Sequence, residues 1–342
     1  MQKRTPVFVI SSGRCGSSLL SDIFELHPQV LSLSEVLMAA NTRAFTNRRL
    51  KGSQFWQLFA SPRRTMSKIL TPQTCPNEFK YPIDHSARYT LDSLPPILFM
   101  TLPRLDSDPD TLFDELASFM GRQPNAELSI HYRTMFDWLC DRFGRRVWVE
   151  RSGASLIFLS SLIDRFPDGK FIHLCRDGRD VALSMQCYPP LKLLAVSWSR
   201  AKSYGLNFLK PPFKLGESRI LSSADKMLDA VFEPESILQA SVDLATVGKF
   251  WSAMVTSAIP HFSHLPTNQL HILKFEDLVR DPVLEVTRLI KFIGIDTIPE
   301  GFSEEIAKFV KEPMSRRATL TSEQATDLQN ACEPGLRALG YV

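Results

Sequence analysis

The sequence contains no Cys-x-x-Cys pair, no Gly-x-Gly-x-x-Gly fingerprint, no internal repeat or low-complexity tract, and no apolar run long enough to cross a membrane. Each absence removes a class of protein. The six cysteines, Cys15, Cys75, Cys140, Cys175, Cys187 and Cys332, lack metal or redox spacing and read as free thiols of a reducing compartment. The apolar stretch at 7–10 is too short for a signal-peptide core, and the one at 97–102 is bounded by Pro95, Pro96 and Pro103. A cytoplasmic location without a transmembrane segment is therefore the default expectation, with peripheral membrane contact and oligomeric state left open. Net charge is scarce as well. The 40 basic and 37 acidic residues leave +3, too little for a general nucleic-acid binder, so any electrostatic specialisation must be local. With 44% hydrophobic and 23% charged residues, the 342-residue chain has the composition of a folded protein and is read as one domain over 1–342.

What the sequence does have is a strand pattern followed by a helix pattern, four times over. Strands are predicted at 6–10, 147–150, 170–175 and 270–275, with helices after them at 19–26, 154–166, 177–187 and 283–293 and a last helix at 322–339. This alternation predicts an α/β fold with a central, mostly parallel sheet flanked by helices, in which the strands at 147–150 and 170–175 neighbour one another through a right-handed crossover. Residues 36–146 and 188–245 are irregular, with scattered prolines, and read as mainly helical insertions that form a pocket over the sheet.

Between the first strand and its helix lies Ser11-Ser12-Gly13-Arg14-Cys15-Gly16-Ser17-Ser18. Successive backbone N–H groups at a helix N-terminus make an anion site. An NTPase phosphate loop aligned on Gly16 would need Gly at 11 and Lys at 17, and both are Ser, which disfavours a magnesium-nucleotide kinase. In the third unit, Arg176 ends a strand and Ser184 follows about two helical turns on, so the two can converge on a second anion at the sheet's carboxyl edge. Two anion sites imply a doubly charged nucleotide. The run Arg176-Asp177-Gly178-Arg179-Asp180 reads equally as a salt-bridged helix start.

The loop 12–20 followed by His27-Pro28, then Phe166-Pro167-Asp168, the segment 171–180 with Ser184, and Lys274-Phe275-Glu276-Asp277-Leu278 before Asp281-Pro282 together resemble the sulfotransferases that use 3′-phosphoadenosine 5′-phosphosulfate, PAPS. The resemblance covers about half of the chain, and Gly13 and Cys15 stand where that family commonly has Pro and Ser. It implies a phosphate-loop-like sulfotransferase fold and transfer of a sulfuryl group from PAPS to an acceptor hydroxyl or amine without a metal, releasing adenosine 3′,5′-bisphosphate. By the same resemblance Cys15, Gly16, Ser17 and Ser18 hold the 5′ phosphosulfate and Arg14 neutralises the bridging oxygen. Arg176 and Ser184 grip the 3′-phosphate, Arg316 or Arg317 closes over it, and Glu35 is the base. Arg151 stands where many relatives carry a lysine that stabilises the leaving group. His27 competes with Glu35 as base but suits a structural role at the helix exit, and Trp198 and Trp251 read as core or pocket wall. A binding-only module and a nucleotide kinase are the alternatives.

One local charge excess remains. Residues 36–77 contain no Asp or Glu but carry Arg43, Arg48, Arg49, Lys51, Arg63, Arg64 and Lys68, interleaved with Phe45, Phe55, Trp56 and Phe59. Clustered cations and aromatic faces would suit an anionic carbohydrate or glycolipid acceptor.

Overall fold

The computed structural model describes residues 3–40, 43–46, 49–75, 79–84, 87–210, 217, 242–311 and 316–342. They fall into two compact units, one of Met1–Leu33, Phe136–Gln186 and Val242–Val342, the other of Ser34–Met135 and Cys187–Ser241.

The first unit is built on five strands: β1 (Val7–Ser11), β2 (Val30–Ser34), β3 (Val147–Arg151), β4 (Lys170–Cys175) and β5 (Leu270–Lys274). Their order across the sheet is β2-β3-β1-β4-β5. β1 runs parallel to both neighbours, with Val9 opposite Arg151 on one side and Ser11 opposite Leu174 on the other, and β4 runs parallel to β5 with Cys175 opposite Lys274. The Gln29 carbonyl, just before β2, accepts from the Arg146 and Val147 N–H groups at the start of β3, so these neighbours also begin side by side.

The expected pairing of the strands at 147–150 and 170–175 is corrected by this order, because β1 lies between them. The reason is burial. Val7, Phe8, Val9 and Ile10 are all fully buried, as a strand paired on both edges and covered on both faces must be. The Phe8 ring meets Trp148, Phe166 and Phe171 at 5.7, 4.9 and 5.9 Å, so aromatic side chains from both flanking segments converge on the central strand. β2 was not among the expected strands: Val-Leu-Ser-Leu-Ser is short, and all five residues are buried. The helix expected at 154–166 is a 3₁₀ turn, Ser155–Phe158, leading into a helix over Leu159–Arg165.

Four helices flank or brace the carboxyl edge of this sheet: α1 (Ser17–Leu26), α2 (Gly178–Gln186), α3 (Leu244–Phe262) and α4 (Ser322–Ala338). The boundary of α1 follows from His27-Pro28, since proline disfavours helix in the residue before it. α4 opens on a capping box in which Thr321 Oγ1 accepts from Gln324 N and Gln324 Oε1 accepts from Thr321 N. Pro334 interrupts its ladder, and the neighbouring Gly335 N–H donates to Ser252 Oγ of α3 at 2.9 Å instead. Trp251 is buried here as expected, with α2 and α4 closing on its ring: a Cβ at Gly178 or at Gly335 would come within 2.1 or 2.6 Å of it.

The second unit contains helices Val36–Ala40, Gly52–Ala60, Arg64–Ile69, Thr101–Leu105, Pro109–Gly121 and Pro189–Ser203, and a two-stranded antiparallel ribbon of Arg49–Leu50 with Ala126–Glu127. Trp198 is buried in it. The helical reading of 211–216 and 218–241 concerns residues outside those described. The basic, aromatic stretch differs from its expected surface role. Phe45, Phe55, Trp56 and Phe59 are buried, with Phe55 against Tyr132 at 5.0 Å and Trp56 against Phe113 at 5.0 Å. Arg63 is buried too, donating to the carbonyls of Ala40 and Leu58. Aromatic area is worth more inside a core than in water, and the spacing of 55, 56 and 59 is that of one helix face. Arg48 lies outside the described residues. Among the described residues no helix is long and apolar enough to cross a membrane, and all six cysteines are free thiols.

His173 of β4 is buried against the Phe262 ring at 4.6 Å, and burial pushes its imidazole down to about 4. The unfolded chain binds a proton near the ordinary 6.5, so stability is fully present above that pH and falls as pH drops from 6.5 towards 4, by about 2 kcal/mol at pH 5. Urea denaturation at pH 7.5 and pH 5 should show this loss, and His173→Phe should shrink it. An unchanged pH slope in the variant would refute the assignment.

Candidate active site

The sheet's topology fixes where a ligand is expected. The chain leaves β1 through α1 towards β2 on one side, whereas β4 leads to β5 on the other, so the carboxyl ends of β1 and β4 flank a crevice at a topological switch point. The loop 12–16 and Arg176 follow those two ends.

The loop is shaped by backbone rather than by side-chain bulk. Gly13, Arg14 and Gly16 have φ of 78, 58 and 91°, and positive φ is costly for arginine. A relay of hydrogen bonds enters it from the sheet. Ser155 Oγ donates to the Val9 carbonyl at 3.1 Å and accepts from Ser11 N at 3.0 Å, while Ser11 Oγ accepts from Gly13 N at 3.2 Å. Gly16 is the N-cap of α1, and its carbonyl accepts from Leu20 N, leaving the N–H groups of Ser17, Ser18 and Leu19 ahead of the first helical bond. With no acidic residue in that turn, the partial positive charge of the helix end stays available to an anion. Ser17 is buried and Ser18 exposed.

Cys15 is fully buried. Burial raises its thiol's pKa against the lowering effect of a hydrogen bond with Ser11, backbone hydrogen bonds and the Arg176 charge. It is a packed thiol rather than a nucleophile.

Arg14 Nε donates to Ser184 Oγ at 3.1 Å, which joins the loop to α2. The Arg176 guanidinium lies over the Phe275 ring, 4.8 Å from its centroid. The same ring occupies the place of a side chain at Gly16, where a Cβ would be 2.2 Å from it. Arg14 is thus joined to Ser184, and Gly16 to Arg176 through Phe275, a residue not singled out as a site residue in the sequence. Its signal was there in the Lys-Phe-Glu-Asp run.

The acids of the Arg-Asp-Gly-Arg-Asp run are committed elsewhere. Asp177 Oδ2 lies 2.5 Å from Arg179 Nη2 and 2.9 Å from Arg317 Nη2, and both oxygens of Asp180 accept from Arg317. Burial alone would raise Asp177, but hydrogen bonds from Arg179 and the Arg317 charge hold its carboxyl below the usual range. The salt-bridged reading of the run therefore describes Asp177, Arg179 and Asp180. It does not describe Arg176, which joins no carboxylate among the described residues. Arg317 is held by Asp177 and Asp180 in this arrangement, whereas Arg316 before it is exposed.

Arg151 ends β3 and is buried opposite Val9, beside Glu150, whose Oε1 accepts from Ser152 Oγ at 2.6 Å. Glu35 belongs to the second unit. It directly follows β2 with φ of 63° and its carbonyl accepts from Ala39 N at 2.9 Å. His27 is fully buried; its Nδ1 accepts from Gln29 N at 3.2 Å and its Nε2 donates to the Thr297 carbonyl at 3.1 Å, so both nitrogens are used. With both nitrogens committed to backbone groups, the ring suits a structural role.

Two family models match the chain: one described as the sulfotransferase family over residues 6–205, the other as the sulfotransferase domain over 157–337. The chain belongs to the sulfotransferase family. Among curated proteins this sulfotransferase is 30% identical to carbohydrate sulfotransferase 4 of Mus musculus over a segment covering 20% of this chain and 22% of that protein, about a fifth of its length. Among solved structures, the sulfotransferase domain of a Synechococcus olefin synthase is 15% identical with a TM-score of 0.45, over 97% of this chain and 96% of that one. A mouse sulfotransferase solved with PAP is 12% identical with a TM-score of 0.39, over 98% and 88%.

Gly16→Ala should cost about 2–4 kcal/mol, combining overpacking against Phe275 with strain at positive φ. If contact with the ring dominates, Gly16→Ala with Phe275→Ala should cost at least about 1 kcal/mol less than the two changes summed. Strict additivity in chemical denaturation would reject the contact as the cause.

Proposed function

We propose that this sulfotransferase uses PAPS as sulfuryl donor and that the loop 12–18, Arg176 and Ser184 hold the donor's two anionic ends. The observation that carries this reading is the shared Phe275 ring, which seats an arginine with no carboxylate partner among the described residues beside the N-terminus of α1. A guanidinium with no carboxylate partner among the described residues, next to the N–H groups of a helix N-terminus, fits two phosphate-like groups, so the residues suit the donor. PAPS supplies an activated sulfuryl group whose departure leaves a phosphate.

In this reading the N–H groups of residues 15–18, with the hydroxyls of Ser17 and Ser18, orient the 5′ end, and Arg14 stabilises charge growing on the bridging oxygen. Arg14 is permanently cationic and acts by field rather than by giving up a proton. Arg176 and Ser184 bind the 3′-phosphate and so set the register of the reacting end. Arg151, opposite Val9 near the carboxyl end of β1, adds positive charge. Arg316 rather than Arg317 is the candidate to close over the nucleotide, because Arg317 is held by Asp177 and Asp180.

Glu35 is proposed as the base that takes the acceptor's proton. Its support is its position directly after β2 and its left-handed backbone, a strain of the kind that accumulates at functional positions. The acceptor is proposed to be a carbohydrate hydroxyl, a reading supported by the partial match to a carbohydrate sulfotransferase. An anionic carbohydrate or glycolipid finds support only in exposed cations such as Lys51 and Arg64, because the aromatics of that stretch are buried. The stretches 36–146 and 188–245 are proposed to supply acceptor recognition.

Adenosine 3′,5′-bisphosphate at a hundredfold excess over its Kd should add about 2.7 kcal/mol of stability without magnesium, seen as a rise in Tm. Magnesium-ATP should give less, and Arg176→Ala should remove most of the gain. Equal stabilisation by both nucleotides would overturn the donor assignment.

Glu35→Gln should keep bisphosphate affinity while lowering turnover about 10²- to 10⁴-fold. Turnover close to that of the unsubstituted protein would take the base role away from Glu35.

A further inference from the structure

Phe275 seats Arg176 and fills the space beside Gly16, so whatever fixes Phe275 fixes both anion-binding elements. Its two chain neighbours are held by one residue. Tyr341 donates its hydroxyl proton to Glu276 Oε2 at 2.7 Å, and Lys274 Nζ lies over the Tyr341 ring, 4.6 Å from the centroid. Lys274 Nζ also donates to the Gly340 carbonyl at 3.3 Å, and Tyr341 N donates to the Leu336 carbonyl at 2.9 Å, which anchors this brace to the end of α4.

The other oxygen of the same carboxylate reaches the segment after β4 that bears Arg176. Glu276 Oε1 accepts from Asp177 N at 3.0 Å, immediately after Arg176. One residue earlier, Cys175 Sγ donates to the Leu273 carbonyl at 3.6 Å. The segments 175–177 and 274–276 are therefore zipped together beyond the last paired strand residues, with Arg176 and Phe275 facing each other in the middle. Nothing in this zipper depends on the ion pairs of Asp177 with Arg179 and Arg317, which involve that residue's carboxylate rather than its N–H.

We propose that Tyr341, acting through Glu276, is a positioning residue for Arg176 and sets the preference of the site for a nucleotide bearing a 3′-phosphate. This deepens the donor assignment and rests on it. The chemistry suits a fixed brace. Burial first, then the neighbouring Cys175 and the hydrogen-bonded Glu276 carboxylate, raise the pKa of the Tyr341 hydroxyl, so it stays a protonated donor across the working pH range. A carboxylate that accepts from a phenol on one oxygen and from a backbone N–H on the other cannot rotate without losing one bond. Loss of the phenol would free Glu276 to turn, release the Asp177 N–H and let the guanidinium leave its seat on Phe275. The affected quantity is the advantage of a 3′-phosphate, not general affinity for adenosine.

The test compares calorimetric affinities for adenosine 3′,5′-bisphosphate and adenosine 5′-monophosphate in the full chain and in Tyr341→Phe, Glu276→Gln and Arg176→Ala. The ratio of the two affinities cancels losses that a general loosening of the fold would impose on both ligands. Arg176→Ala should lower the ratio most. Tyr341→Phe should lower it about 3- to 10-fold, the worth of one hydrogen bond, while changing monophosphate affinity by less than about twofold. Glu276→Gln, which keeps shape but loses charge, should move the ratio the same way. A ratio unchanged in both Tyr341→Phe and Glu276→Gln, with a normal drop in Arg176→Ala, would overturn the positioning role alone. A ratio unchanged in Arg176→Ala would remove the donor assignment and this inference with it.

Discussion

The contact on which the site depends is the Phe275 ring pressed into the space beside Gly16. With no Cβ at position 16, the loop can lie on an aromatic face, and the same face carries the Arg176 guanidinium. A ring is a good organiser of the two proposed anion-binding elements because it supplies large, rigid area with few torsions, and its negative face attracts a cation without neutralising it. A carboxylate in that place would hold the arginine more tightly and cancel the charge that an anionic ligand needs.

That distinction explains how one short run of charges can serve two ends. Asp177 and Asp180 are paired with Arg179 and Arg317, and these pairs tie α2 to the 3₁₀ turn Arg317–Thr319. Arg176 is left outside the exchange. Partly buried ion pairs with hydrogen-bonded geometry fix structure, whereas a cation kept apart from acids keeps its field for a ligand. Gly178 belongs to the structural half: it is where Trp251 enters, and a side chain there would push α2 off α3.

Much of this was legible in the sequence, for reasons that can be named. Val7–Ile10 followed by a Ser/Gly loop reads as strand, turn and helix because local pattern alone determines each part. The spacing of Arg176 and Ser184 was legible because helical rise fixes their separation along the chain. What could not be read was non-local. The order of strands depends on which segment is buried from both sides, so β1 between β3 and β4 became clear only when the rings around Phe8 were in place. Likewise Phe45, Phe55, Trp56 and Phe59 have the same spacing whether they face a ligand or a core. Arg316 and Arg317 look alike in the chain, yet Arg317 is paired with Asp177 and Asp180, more than a hundred residues away.

The backbone offers an independent trace of where strain has been retained. Among the described residues, three that are not glycine have positive φ: Arg14, Glu35 and Ala154. Each lies within three residues of the end of a strand, after β1, β2 and β3 respectively. Such conformations cost on the order of 1–3 kcal/mol each and persist only where surrounding contacts over-determine them. Around Ala154 and Arg14 those contacts are visible, since Ser155 bonds to Val9 and Ser11, and Ser11 in turn bonds to Gly13. The relay holds the loop from behind, as Phe275 holds it from below. A loop fixed on two sides in this way presents its N–H donors already aligned, so less ordering entropy would oppose the proposed binding of the donor.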